Sequence, residues 1–163
     1  EKIVAGGSRH GTDYPTAMCA LKPDHSIDCS GRNSYGEGGD ISGSYGFVDV
    51  SIDTYHACGL TATGKAYCWG YNGYGELGNG NNINNVVPQE VYPALNLRFK
   101  QINVSWYHTC GITIDDDLYC WGYNPDGRLG VGNITSYNIP QKVGTAKWSY
   151  VSVGTRHTCG LMQ

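Results

Sequence analysis

Seven cysteines and five histidines carry most of the reactive chemistry in this chain of 163 residues, and their spacing is regular. Cys19 and Cys29, Cys58 and Cys68, and Cys110 and Cys120 each stand ten positions apart, and Cys159 opens a fourth copy. His56, His108 and His157 each precede a cysteine by two positions. Two chemistries compete for this pattern. Zinc would use the recurring His-x-Cys, but zinc sites are usually built from closely spaced Cys-x2–4-Cys pairs. Two cysteines ten apart, each in a strand-like run with a turn between them, instead fit facing positions on a hairpin. The spacing therefore predicts disulfides Cys19–Cys29, Cys58–Cys68 and Cys110–Cys120, with Cys159 unpaired or intermolecular, and no metal site.

A catalytic role for the histidines finds no support. They fall one per repeat, and no serine or carboxylate recurs beside them as a triad requires. The expectation is a structural imidazole bonded to backbone within each unit, with no catalytic residue, no cofactor and no enzymatic activity. His10 and His25 fall in an irregular first unit and carry no readable signal. Asp115-Asp116-Asp117 lacks the interleaved glycine and distal Glu of a calcium loop and reads as a solvated hairpin turn. The glycine-rich stretches Gly70 to Gly80 and Gly122 to Gly132 do not follow the phosphate-loop pattern. Trp69 and Trp121 have two readings: packing between units, or a sugar-stacking binding face.

These residues sit in a repeated frame. "YHACGLTATGKAYCWGYNGYGELGNG" from Tyr55 aligns without a gap on "YHTCGITIDDDLYCWGYNPDGRLGVG" from Tyr107. Ahead of each first cysteine lies an apolar–polar–apolar alternation: Val50-Ser51-Ile52, Ile102-Asn103-Val104 and Val151-Ser152-Val153. That period marks a half-buried strand. A second strand runs through Cys58-Gly59-Leu60 and a third through Ala66 to Gly70, with matches at Cys110 to Ile112 and Leu118 to Gly122. After the glycine-rich loop, Pro88-Gln89-x-Val91 and Pro140-Gln141-x-Val143 recur, and an edge strand is expected to start at Val91 and Val143. Units of about 40–50 residues with four short strands are propeller blades. The expected fold is all-β: about 3.5 blades of some four antiparallel strands, each complete blade holding one disulfide. The units are 1–44 (a divergent first blade), 45–98, 99–147 and 148–163 (the first strands of a fourth blade).

"VSVGTRHTCGL", "YCWGYNGYGELGNG" and "YCWGYNPDGRLGVG" resemble the repeats of regulator-of-chromosome-condensation (RCC1-type) propellers. The cysteine-bearing version is most similar to extracellular members such as CRINKLY4-type receptor ectodomains, and beta-lactamase inhibitor protein II shares the architecture. The resemblance is strong from about residue 45 to 161. In the first unit Ser30, Asp28 and Ala20 replace the Trp, Tyr and Gly of the pattern, and His10 to Thr16 looks like an insertion. The resemblance implies a ring that is typically seven-bladed. The nucleotide-exchange and chromatin roles of nuclear members are not carried over.

Composition narrows the setting. Charged residues are 15 %, net charge is −3 and pI is near 5.9. This argues against a nucleic-acid partner, which needs a basic stripe. No apolar run is long enough to span a bilayer. Asn103-Val104-Ser105 and Asn133-Ile134-Thr135 are N-glycosylation sequons. With the paired cysteines they place the chain outside the cell or on its surface. The function expected is a non-enzymatic extracellular scaffold, self-associating into a polymer or joined to the remaining blades of a longer chain. The alternative is a soluble module that binds a protein or glycan through its loop face. Lys2 to Gly6 is one candidate strand donor to the incomplete last unit.

Overall fold

A computed structural model describes residues 2–6, 17–42 and 45–163. The stretch His10 to Thr16 lies outside the described residues. Among the described residues thirteen strands run in chain order, and every pairing is antiparallel. β1 (Lys2–Gly6), β2 (Ala17–Leu21) and β3 (Ile27–Gly31) form the first sheet, to which Ile41 adds a bridge on Ile27. β4 (Phe47–Ile52), β5 (His56–Thr61), β6 (Ala66–Gly70) and β7 (Asn85–Glu90) form the second. β8 (Phe99–Ser105), β9 (His108–Thr113), β10 (Leu118–Gly122) and β11 (Tyr137–Lys142) form the third. β12 (Trp148–Val153) and β13 (Thr158–Met162) form a two-stranded fourth. No helix among the described residues is long and apolar enough to cross a membrane.

Two local expectations are corrected. The outer strands end at Glu90 and Lys142, before the valines at which they were expected to begin. Pro88 and Pro140 lie inside these strands, which is tolerated because an outermost strand needs no donor on its free side. The segment Lys2–Gly6 is not free to be donated. It pairs with β2, with Val4 opposite Cys19, in the slot that β4, β8 and β12 occupy in their own sheets.

Period-2 alternation sends one face of each sheet back to the preceding sheet and the other forward. In β6, Trp69 packs into a cluster with Ala17, Cys19 and Ile27 of the first sheet. Its neighbours Ala66 and Cys68 pack forward against Phe99, Ile102 and Val104 of the third. A last cluster joins Cys110, Ile112, Leu118 and Cys120 to Val151. The cysteine-glycine pair of β5 and β9 follows from this crowding. A Cβ on Gly59 would come within 2.5 Å of the Phe47 ring, and one on Gly111 within 2.7 Å of Phe99.

The cysteines stand directly opposite each other across β2–β3, β5–β6 and β9–β10, and are bonded as Cys19–Cys29, Cys58–Cys68 and Cys110–Cys120. Cys159 is free and exposed. Each bridge closes a short loop, so it stabilises by about 2–4 kcal/mol, largely through the unfolded chain. Five of the six bridged cysteines are fully buried, while Cys29 is only partly so. Under native conditions, timed alkylation after mild reductant should therefore label Cys19 and Cys29 before the other four. Equal rates at all three bridges would contradict the burial order.

Candidate functional site

The histidines link blades rather than forming a centre. His56 Nε2 lies 2.8 Å from Thr109 Oγ1, and His108 Nε2 lies 3.0 Å from Thr158 Oγ1. Each threonine spends its hydroxyl proton on a loop carbonyl: Thr109 on Glu76 O at 2.9 Å and Thr158 on Arg128 O at 2.8 Å. The imidazoles must therefore donate from Nε2, which leaves Nδ1 as a bare acceptor; in both rings it has no partner. Burial holds both neutral, pushing His56 and His108 down to about 3, with like-charged neighbours adding to it. Their bonds run to the next blade's side chains, not to backbone within their own. No group of three or more His, Cys, Asp or Glu among the described residues is placed to hold a metal ion.

Trp69 and Trp121 offer no stacking face. Both indoles have no exposed surface. Their Nε1 groups donate backwards to Glu37 O at 3.3 Å and Glu76 O at 2.9 Å. A Cβ on Gly78 would sit 2.5 Å from the Trp121 ring nitrogen, so the loop lies against the indole. The binding-face reading for these two residues gives way to interblade packing. Truncating Trp121 would forfeit about 3–5 kcal/mol of burial, more than the roughly 1 kcal/mol of its hydrogen bond.

The Asp115–Asp117 turn is an ion-paired brace. Asp116 pairs with Lys100, and Asp117 pairs with Lys142 at 2.7 Å and Lys147 at 2.9 Å. These lysine hydrogen bonds hold both carboxyls below the usual range. The sequons differ from each other. Asn103 is half-buried and its Nδ2 donates to Val151 O of the next blade at 3.0 Å, so it does not project freely as expected. Asn133 is exposed, and its Oδ1 closes a turn on Thr135 N at 2.9 Å.

A surface cluster that the motif reading passed over lies at the opposite end of the blades from the Asp115–Asp117 turn. It is built where the second strand of each blade begins and where the third strand ends. Tyr55 and Tyr107 precede the buried histidines; Tyr71 and Tyr123 follow Gly70 and Gly122. With Tyr35, Tyr74 and Trp106 they make a continuous field of seven rings. Tyr55 stacks on Tyr107 at 5.2 Å and 18°, and Tyr74 meets Tyr123 at 4.3 Å. Arg32 lies 4.8 Å over the Tyr55 ring and Arg128 5.1 Å over Tyr123. Burial and the hydrogen bond to Tyr55 raise the Tyr107 phenol well above its ordinary value. Beside Trp106 the field opens into a cleft of about 390 Å³, walled by Tyr74, Trp106, Tyr107, Tyr123, Arg128 and Arg156. The sequence signal that could have found it is the recurrence of an aromatic just before each buried histidine and just after each positive-φ glycine, Gly70 and Gly122.

Beneath this field one loop position recurs as Glu37, Glu76 and Arg128, all buried. Glu37 accepts from Tyr35 N at 2.7 Å and Ser34 N at 3.2 Å, with Arg32 Nε 3.7 Å away. Arg128 is held by Asp126 at 2.7 and 2.8 Å and donates to Thr155 O at 2.9 Å. Glu76 accepts from Tyr74 N at 2.9 Å, and among the described residues its Oε1 has no partner. Burial pushes this acid up to about 8, so it is protonated at neutral pH. A raised acid contributes stability that is present below its unfolded value of 4.5 and is lost as pH rises through 8. The two lowered histidines act oppositely: their contribution is present above 6.5 and is lost as pH falls toward 3. Stability measured by denaturant titration should thus peak near pH 6.5. It should decline by about 1.4 kcal/mol per pH unit between 6.5 and 8. Glu76→Gln should flatten that alkaline limb; an unchanged limb in the variant would remove Glu76 as its cause.

The comparisons with known proteins agree with this architecture. The family model for the regulator of chromosome condensation (RCC1) repeat matches residues 63–112 and 115–161. The chain is 33 % identical over 144 residues to the ultraviolet-B receptor UVR8 of Arabidopsis thaliana, covering 78 % of this chain and 32 % of that protein. It therefore spans about a third of that relative's length. Yeast RCC1 (Prp20), solved bound to Kap60, superposes with a TM-score of 0.78 at 16 % identity, over 90 % of this chain and 40 % of that one. The CRINKLY ectodomain of the Arabidopsis thaliana receptor kinase ACR4 superposes with a TM-score of 0.62 at 23 % identity, over 93 % and 49 %. Four-stranded blades, interblade cores and a repeat match over more than half its length establish that this chain belongs to the RCC1-repeat propeller family.

Proposed function

We propose that this chain is a non-enzymatic recognition segment of a disulfide-stapled extracellular propeller, and that it binds a protein through its field of aromatic rings. The single observation that carries this reading is the composition of that field: tyrosines, a tryptophan and stacked arginines. These are the side chains enriched at binding hot spots, because they bury large area with few rotamers to freeze. That yeast RCC1 has been solved bound to Kap60 supports a protein as the class of partner. The three bridges and the likeness to the ACR4 ectodomain support an extracellular setting. The non-enzymatic reading is supported by the dispersal of the histidines into separate, neutral interblade bonds.

Peptides selected from a displayed random library against the folded chain should lose at least tenfold in affinity for a Tyr74→Ala/Trp106→Ala double variant. The variant should keep its thermal midpoint, since Tyr74 is 40 % exposed and Trp106 is partly so. Undiminished binding would overturn the assignment of this face.

The scaffold reading stands second, and one surface favours it. An open groove of about 400 Å³ is lined by Leu118, Leu129, Val143 and Trp148, and on the opposite face of β13 from its lining residues Thr158 and Gly160, Leu161 and Cys159 are exposed. Apolar surface of this kind suits association with another polypeptide. Sedimentation velocity over a hundredfold concentration range tests it, and a single concentration-independent monomer would end the polymer idea. Within either reading Asn133 is the sequon suited to a glycan. Expression in a secretory host should give a mass loss at Asn133 after glycosidase, and none at Asn103, whose amide is engaged by Val151.

A further inference from the structure

The aromatic row changes character at its last described member. Tyr55, Tyr107 and Arg156 hold the same position in successive blades, one residue ahead of His56, His108 and His157. A planar guanidinium thus continues a row of planar rings, at the open side of the cleft beside Trp106. The other cations around this cleft are committed. Arg128 is 6 % exposed; it forks onto both oxygens of Asp126, donates to Thr155 O and covers Tyr123. Arg32 lies over Tyr55, bonded to Ser34 Oγ at 3.1 Å and near Glu37. Arg156 is exposed and makes no hydrogen bond or ion pair with any described residue. Asp126, which shares the cleft and feels the Arg156 charge, is already hydrogen-bonded to Arg128. Glu76 adds no charge near neutrality. On a chain of net charge −3, this end therefore keeps, among the described residues, one uncommitted arginine, set in an aromatic wall.

We propose that Arg156 and Trp106 form a specificity pocket for an acidic residue flanked by apolar or aromatic side chains on a protein partner. This deepens the recognition reading above and rests on it. The guanidinium receives the carboxylate through two parallel N–H donors, and the Trp106 and Tyr123 rings receive the flanking apolar groups. One free cation among the described residues of this cleft matches a single carboxylate; polyanions such as nucleic acid or sulfated glycan need several. The occupant is therefore an acidic–aromatic segment of a protein.

The probe is a pair of capped tripeptides, Phe-Asp-Phe and Phe-Asn-Phe, titrated into the folded 163-residue chain. Binding is followed by the Trp106 indole and Arg156 side-chain N–H resonances. The Asp peptide should shift both signals, and its affinity should fall at least tenfold in Arg156→Gln. Arg156→Lys should fall between the two, because it keeps the charge and loses the fork. The Asn peptide should bind as weakly to the native chain as the Asp peptide binds to Arg156→Gln. Equal affinities for the two peptides, or an Asp affinity unchanged by Arg156→Gln, would overturn the carboxylate pocket while leaving the aromatic face standing. Absence of any shift at Trp106 with either peptide overturns this proposal as well. The recognition reading itself is judged separately, by the sensitivity of library-selected peptides to the Tyr74→Ala/Trp106→Ala pair. Both arginine variants change an exposed side chain without internal partners, so an unchanged thermal midpoint is expected in each.

Discussion

Every apolar cluster in this protein lies between two sheets rather than within one. A blade of four short strands has two apolar faces and nothing of its own to cover either. Trp69 reaches back to Ala17 and Ile27, while Cys68, one position earlier, faces forward toward Phe99 and Ile102. The stability of each sheet is thus conditional on its neighbours. Position in the stack, more than local propensity, decides which side chains are wet: Val151 at the start of the fourth sheet is fully buried, whereas Leu161 on its other strand is 62 % exposed.

Direction and spacing of the stack are fixed by a polar device. One loop carbonyl, Glu76 O, accepts both Trp121 Nε1 and Thr109 Oγ1 of the following blade, and Thr109 in turn accepts from His56. Two donors of the third blade thereby meet on one turn of the second, and His56 joins them through Thr109. Such a network is worth keeping only when each of its donors is satisfied, since a buried donor without a partner costs about 1–3 kcal/mol. The imidazoles meet that condition by staying neutral, and the same neutrality makes the blade contacts sensitive to acid. Glu76 carries the opposite sensitivity because its position in the second blade lacks the arginine that accompanies Glu37 in the first: Tyr71 stands where Arg32 would be.

The aromatic field is a consequence of the same geometry. The residues just outside each buried histidine and each positive-φ glycine emerge at one end of the stack, so whatever the sequence places there becomes a surface row. Rings fill it in the second and third blades, and Arg156 ends it in the fourth. A face built this way is varied residue by residue without disturbing the cores, because its members stand outside the interblade clusters.

The sequence by itself determined the repeat, the strand order and the cysteine pairing, because these are local: period-2 alternation and a ten-residue hairpin are complete within one unit. It also singled out His56, His108, Trp69 and Trp121 as positions of consequence. Only the tertiary structure decided what those positions do. Whether an indole is a stacking face or a core residue, whether Asn103 is free or spent on Val151, and whether Glu76 keeps its proton depend on atoms distant in sequence, in a neighbouring blade. Edge-strand limits at Glu90 and Lys142 were illegible for a related reason, since they are set by pairing to β6 and β10 rather than by the Pro-Gln-x-Val motif itself. Contacts between blades carry this protein's energetics, and a single repeat holds only one side of each.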